Sequence, residues 1–254
     1  MPPVGRRQSV LKKFRADLHI HSCLSPCSDW AMSPKKIIQQ SLSAGLDLIG
    51  ICDHNSAENA GAAMREGRSR GLAVLPGMEV CSREEVHILA LFDRLDPALE
   101  MQDYVYANLP GENNAEVFGF QVVANEDDEV IGENPRLLIG ATGLSLHEIV
   151  DKTHELDGVS ISCHVDRPGY GIINQLGFIP EDLDLDGLEV SHRIKLETAA
   201  RAVPGIGSFA CITASDAHYP DDIGKASTVF EMAAPTLAEI RLALLGKDGR
   251  RILV

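Results

Sequence analysis

Asp17, His19 and His21 stand at alternate positions of the run ADLHIHS, residues 16–22. Successive side chains of a strand point to opposite faces, so these three are expected on one face and Ala16, Leu18 and Ile20 on the other. Buried groups of this kind persist when they pair with one another or hold a metal. The run therefore reads either as a hydrogen-bonded histidine pair at a strand end or as half of a metal site. Other polar residues favour the metal, because Asp53-His54, Glu79, His87, His164 and Asp216 with His218 all lie at the ends of apolar runs. Imidazole and carboxylate donors suit zinc, manganese or iron. A metal takes about four donors, so the set is large enough for more than one ion. Adjacent metals suit phosphate ester hydrolysis, with a shared hydroxide as nucleophile and the ions clamping phosphoryl oxygens. The chain has no Walker loop, G-x-S-x-G, G-x-G-x-x-G or Cys-x-x-Cys to suggest another chemistry.

Strand-type and helix-type runs alternate along nearly the whole chain, the pattern of an α/β domain with parallel strands. After the first strand, the sequence predicts strands over 47–53, 72–80, 86–92, 158–164, 186–191, 208–216 and 226–230. Helices are expected from Ser33-Pro34 to about Gly45, over 57–71, 145–156, about 194–203 and 236–245. Ser145 with Glu148 and Thr236 with Glu239 fit the capping box. In parallel α/β folds the carboxyl ends of the strands share one rim, where these histidines and acids would converge. His87 opens its run, so it reaches that rim only on an antiparallel strand. Residues 94–140 break the rhythm and read as an excursion, either a hairpin overhanging the site or a solvated acidic loop.

With 254 residues, 44% of them hydrophobic, the chain has ample core. No apolar run reaches transmembrane length and the start shows no leader pattern. The six cysteines lie singly, mostly in apolar runs, as reduced thiols do. A cytoplasmic protein without a membrane partner is expected. The net charge of −14 and the lack of basic clusters beyond Gly5-Arg6-Arg7 and Leu11-Lys12-Lys13-Phe14 disfavour long nucleic acid. A small anionic substrate remains compatible if bound cations reverse the local field. Oligomeric state is not legible.

Taken in order, D17-L-H-I-H-S22, C52-D-H-N55, P76-G-M-E79, V86-H87, C163-H164 and S215-D-A-H218 resemble the motif set of the polymerase and histidinol phosphatase (PHP) family of metal-dependent phosphoesterases, across about 200 residues. The resemblance implies an α/β fold, a distorted (β/α)7 barrel with two or three divalent metals (Zn, Mn or Fe) at its C-terminal rim. Residues 1–254 would form one catalytic domain, with the excursion at 94–140 inserted. His19, His21, Glu79 and Asp216 would hold the first metal. Glu79 would bridge to a second, completed by His87 and His164, and His54 and His218 would bind a third. Asp17 and Asp53 become acids that orient the ligand imidazoles. Family members commonly carry H-x-H-S-x-x-S-D-G, whose Asp serves the third metal, or a His one place later. This chain has Pro26 and Cys27 there, with Asp29 two residues beyond. Asp29 is the favoured ligand, and a Cys27 thiolate the alternative.

Arg167 is a candidate phosphate contact, against a surface ion pair with Asp166 or another acid. His192 is a candidate for phosphate contact or general acid, against an ordinary loop histidine; Arg193 is weaker. His147 and His154 read as surface residues, Asn55 as a helix cap and Trp30 as core. The expected function is hydrolysis of a small phosphomonoester such as a nucleotide or nucleoside 3′,5′-bisphosphate. The alternatives are a short-oligonucleotide phosphodiesterase or exonuclease and a non-catalytic metal-dependent binding module.

Overall fold

The computed structural model describes residues 10–253, except residue 204 and the side chain of Ala200. The Gly5-Arg6-Arg7 segment and the reading of the chain start lie outside these residues. The strands are β1 (Lys12–Ile20), β2 (Leu48–Ile51), β3 (Ala73–Cys81), β4 (His87–Leu91), β5 (Val122–Ala124), β6 (Val130–Glu133), β7 (Val159–Ser162), β8 (Gly187–Ser191), β9 (Cys211–Ala214), β10 (Thr228–Met232) and β11 (Arg251–Leu253). Nine form one sheet in the order β11-β10-β1-β2-β3-β4-β7-β8-β9, and β5 pairs β6 separately. The β1–β2, β2–β3, β7–β8 and β8–β9 pairs are parallel. A parallel bridge between Ile20 and Ala217 brings the chain after β9 back to the end of β1. Seven strands thus make a nearly closed barrel, as expected. β4 lies antiparallel between β3 and β7, which carries His87 to the same rim as the other candidate ligands.

Two apolar layers follow from the strand alternation. Ala16, Leu18, Leu48, Leu89, Val159, Ile161 and Ile212 pack inside the barrel, with Leu237, Ile240 and Leu244 of a C-terminal helix. Ile49, Ile51, Met78, Val80, Ile88, Val190 and their neighbours face outward, against helices that contribute Ile37, Ile38, Ala63, Met101 and Ile149. Runs apolar at every position, such as LIGI in β2, bury both faces.

The expected alternation fails at one place in β1. Its register against β2 slips between Asp17 and Ile20, so Leu18 belongs to the inner layer and Ile20 to the outer one. A bulge of this kind re-aims the residues that follow it. Asp17 therefore does not share a face with His19 and His21. Gly50 on β2 faces the Leu18 carbonyl where any side chain would collide with it, so its missing Cβ lets the two strands stay paired.

Most expected helices form. Pro34–Ser43 begins with Ser33 at the N-cap and proline in the first turn. Leu146–Glu155 has the full Ser145–Glu148 capping box. Leu237–Leu244 has half of one: Thr236 accepts from the Glu239 N–H, whereas the Glu239 carboxylate binds the Ala233 N–H and Arg250. The excursion is shorter than expected, because Leu95–Tyr106 is a helix burying Ala98, Met101, Gln102 and Val105 against the barrel. Asp96, Pro97, Glu100 and Asp103 mask that apolar stripe, and proline is tolerated in a first turn, where its missing N–H has no partner to lose. The part that departs from barrel rhythm is a short helix, Ala115–Phe118, and the β5–β6 hairpin.

Buried amides hold this excursion to the rim. Asn55 donates to the carbonyls of Leu138 and Gly140 and accepts from the Cys81 N–H. Asn59 donates to the Val122 carbonyl and Ser22 Oγ and accepts from the Ala124 N–H. Gln121 donates to the Asn134 and Arg136 carbonyls and accepts from the Leu138 N–H. Asn55 is thus an anchor rather than a helix cap. No helix among the described residues is long and apolar enough to cross a membrane.

Candidate metal centre

Glu79, near the end of β3, lies among five imidazoles. Its Oε1 is 2.8 Å from His87 Nδ1, 3.1 Å from His164 Nε2 and 3.4 Å from His19 Nε2. Its Oε2 is 3.0 Å from His54 Nδ1 and 3.4 Å from His21 Nε2. Asp216 Oδ1 lies 3.1 Å from His21 Nε2 and 3.3 Å from His19 Nε2. Each residue arrives from the carboxyl end of its strand, except His87, which opens the antiparallel β4. His218 stacks on His21 with ring centroids 4.2 Å apart.

Neighbouring acceptors orient three of these rings. Glu189 Oε2 takes the His19 Nδ1–H at 2.8 Å, Ser25 Oγ takes the His21 Nδ1–H at 3.0 Å, and the Asp216 carbonyl takes the His218 Nδ1–H at 2.9 Å. Nε2 of His19 and of His21 stand 3.1 Å apart. Against its burial, Glu189, Asp216 and Glu79 push His19 well above the usual imidazole value, which favours a proton on its Nε2 that a bound cation would displace. Asp216 Oδ1 and His164 Nδ1 are buried without hydrogen-bond partners. Imidazole nitrogens with carboxylate oxygens are the donors that zinc, manganese and iron accept, so the residues fit a multi-metal centre. Compact donor groups among the described residues are His19-His21-Asp216, His54-Glu79-His87, Glu79-Cys163-His164, His21-His54-His218 and His19-Cys163-Glu189.

Burial alone would raise the Glu79 carboxyl, but His87, His19 and His54 outweigh it and hold Glu79 well below the usual carboxylate range. Asp216 is likewise held down, against burial, by His19 and His21. Burial and the facing His218 push His21 down, favouring its neutral form. His164 and Asp216 adopt left-handed backbone, with φ of 29° and 50°. Such conformations cost about 1–3 kcal/mol each and cluster at functional sites.

Two acids differ from expectation. Asp53 orients His21 only through a relay: it accepts from the Ser22 N–H and from both the Ser22 and Ser25 hydroxyls, and Ser25 in turn meets His21. Asp17 touches no imidazole, because the bulge in β1 turns it toward the barrel seam. There it accepts from the N–H groups of Ser215 and Gly224, both at 2.9 Å, and burial raises its carboxyl to about 6. It positions the segment that carries Asp216. The residue that orients His19 is Glu189, and the legible signal was a lone acid inside the apolar strand GLEVS. Tyr170, stacked on His87 at 4.3 Å, was also missed.

Two cavities adjoin the cluster and share Cys27, Arg167, Asp216 and His218. One, about 220 Å³, includes His54, Glu79, His87, His164 and Tyr170. The other, about 450 Å³, includes His192, Arg193, Asp222 and Lys225. Arg167 Nη1 is paired with Asp216 Oδ2 rather than with Asp166, while Arg167 Nε is buried without a partner. His192 is exposed at the lip of the larger cavity. Asp29 stands outside the donor groups, its Oδ1 accepting the Ala31 N–H at 2.8 Å. Cys27 is exposed and likewise stands outside the donor groups; against desolvation, the nearby His54 and His218 lower its thiol to about 6. His147 and His154 pair with Asp182 and Asp186, away from the cluster. Trp30 is 63% exposed, not core, and leans on Phe120 with ring centroids 5.0 Å apart.

The PHP domain model matches residues 17–172, and a PHP-associated model matches 207–247. A Chromobacterium violaceum 3′,5′-nucleoside bisphosphate phosphatase is 33% identical over 33% of this chain and 30% of its own length. YqxK, an uncharacterized protein of Bacillus subtilis, is 24% identical over 96% of the chain. The chain spans 32% of a Haemophilus influenzae 5′-3′ exoribonuclease that it matches and 65% of YqxK. Among solved structures, the lesion-specific endonuclease Q of Pyrococcus furiosus aligns over 96% of this chain and 58% of its own, with 23% identity and a TM-score of 0.71. A likeness of that identity speaks for the fold alone, yet an endonuclease Q of this fold has been solved with a 27-mer duplex. The ordered motifs, the barrel that gathers them and the domain match together establish that this chain belongs to the PHP family of metal-dependent phosphoesterases.

Proposed function

We propose that this chain hydrolyses small phosphomonoesters of nucleotide size. The observation that carries this reading is the 450 Å³ cavity beside Asp216 and His218, which Arg167, His192, Arg193 and Lys225 line. That volume suits a small ligand, and those side chains suit its phosphate. Glu79, Asp216, His19, His21, His54, His87, His164 and His218 would hold the metals. Bound divalent ions supply Lewis acidity and a lowered water pKa at such a site. Arg167, anchored on Asp216, would offer its unpartnered Nε–H to a phosphoryl oxygen, and His192 would stand at the lip to protonate the leaving oxygen.

Inorganic phosphate release should be measured across nucleoside monophosphates, 3′,5′-bisphosphates, histidinol phosphate and sugar phosphates, with added Mn²⁺. Wild type is expected to turn over the nucleotide class, and His164→Ala to lose both turnover and bound metal. Silence across the panel from metal-loaded wild type would sink the reading. A second reading, phosphodiester cleavage, is favoured by the fold likeness to endonuclease Q over 96% of the chain. Release of nucleoside monophosphates from oligonucleotides, without inorganic phosphate, would select it.

A further inference from the structure

The loop 163–171 links β7 to the helix Ile172–Leu176 and crosses the cluster on the way. His164 near its start faces Glu79 Oε1 from 3.1 Å. Arg167 in its middle pairs with Asp216. Asp166 fastens the loop to the end of β8, accepting the Ser191 N–H at 2.7 Å and the Ser191 hydroxyl at 2.6 Å. The chain then doubles back so tightly that a side chain at Gly171 would meet the Arg167 carbonyl at 2.8 Å and the His164 carbonyl at 3.1 Å, a crowding that glycine avoids. Just before it, Tyr170 adopts left-handed backbone with φ of 58°, which a residue other than glycine keeps only where its surroundings enforce it.

That conformation gives Tyr170 a two-point grip on His87. The Tyr170 carbonyl accepts the His87 N–H at 3.0 Å. The Tyr170 ring lies almost parallel to the imidazole, with 14° between the planes and 4.3 Å between the centroids. The rings of His54 and His164 stand instead at 59° and 66° to it. His87 opens its strand yet is only 6% exposed, while Tyr170 on top of it is 42% exposed.

We propose that Tyr170 is a positioning residue for His87: it holds the imidazole with Nδ1 directed at Glu79 Oε1, 2.8 Å away, and so sets metal affinity at the position that His87, His164 and Glu79 share. The inference rests on reading the cluster as a metal centre. Groups behind a ligand tune affinity by fixing its orientation, and a ring held in place before the ion arrives loses less freedom on binding. Because the contact is made by ring face and backbone carbonyl, phenylalanine at 170 would keep both and alanine only the second.

The test is titration of the metal-free full chain with Zn²⁺ against a competing chelator, paired with acylation of the same metal-free protein by diethyl pyrocarbonate and peptide mapping. Tyr170→Ala is expected to weaken one ion per chain about 10–100-fold and to leave the remaining ions at wild-type affinity. Tyr170→Phe is expected to match wild type. Without metal, His87 should be acylated several times faster in Tyr170→Ala than in wild type or Tyr170→Phe, because its cover is gone. Circular dichroism checks that the variants are folded, and Tyr170→Leu takes the place of Tyr170→Ala if that chain does not fold. Wild-type affinity for every ion in Tyr170→Ala, an equal loss at all ions, or a Tyr170→Phe as weak as Tyr170→Ala overturns the proposal. Faster acylation with unchanged affinity overturns it too, since the ring would then cover His87 without setting its binding. Wild type that takes up no Zn²⁺ defeats the reading of the centre itself, an outcome distinct from a bound centre that ignores residue 170.

Discussion

Two buried polar clusters share the rim of this barrel, and they are finished differently. Around the excursion, Asn55, Asn59, Gln121 and Asn134 donate and accept until their amides are satisfied. Around Glu79 the groups are ionisable, and Asp216 Oδ1, His164 Nδ1, Glu189 Oε1 and Arg167 Nε are left without hydrogen-bond partners. Buried polar groups are normally paired, because an unmade hydrogen bond costs about 1–3 kcal/mol. A neutral, satisfied cluster therefore reads as a lock for the chain. A charged, unsatisfied one reads as a seat for a ligand that supplies the missing partner. Both occupy equally dry surroundings, so burial alone does not distinguish structure from chemistry.

The sharpest way to break this contrast is Glu79→Gln. It keeps the shape and removes the charge that five imidazoles face, so turnover should fall by more than the ~100-fold typical of changes behind the ligands. Metal content should fall with it, as elemental analysis checks. Thermal stability of the metal-free protein should change far less than activity does. On the other side, Asn59→Ala strands the Val122 carbonyl, the Ala124 N–H and Ser22 Oγ and should cost about 3 kcal/mol of stability, read from denaturant unfolding. Metal stoichiometry of the folded fraction should stay at the wild-type value. If Asn59→Ala loses metal first, the two clusters are one functional unit and the contrast fails.

Glu189→Gln sharpens the boundary between them. Glutamine still offers an oxygen to His19 but no charge, so metal affinity should drop about 10–100-fold while the fold survives, measured by competition with a chelator. The smallest effect is expected outside both clusters, at His154, whose ring pairs with Asp186 at 2.8 Å. Hydrogen bonding to Asp186 raises its pKa above 6.5. Protonated histidine is thus favoured in the folded state, so the pair stabilises fully below pH 6.5 and fades as pH rises through the raised value. For a pair this exposed the contribution is under about 1 kcal/mol. His154→Ala should therefore separate from wild type in thermal stability at pH 5.5 and converge with it above pH 8, with no change in metal content.

The amino-acid sequence by itself determined the order of the barrel strands, the convergence of His19, His21, His54, Glu79, His87, His164, Asp216 and His218, and the need for one antiparallel strand. Those follow from local periodicity and from which strand end each residue occupies, and both are properties of short stretches. Tertiary structure alone decided the rest. A bulge that no local pattern announces turned Asp17 away from the histidines. His19 takes its orienting acid from Glu189, 170 positions along the chain. Asp29 caps its own turn while Cys27 lines a cavity together with His54 and His218. Asn55 found its partners on a segment more than 80 residues distant. In each case the deciding quantity is which of several chemically equivalent partners lies within hydrogen-bond distance. That is settled by how the strands register and the loops pack, after local preferences have been spent.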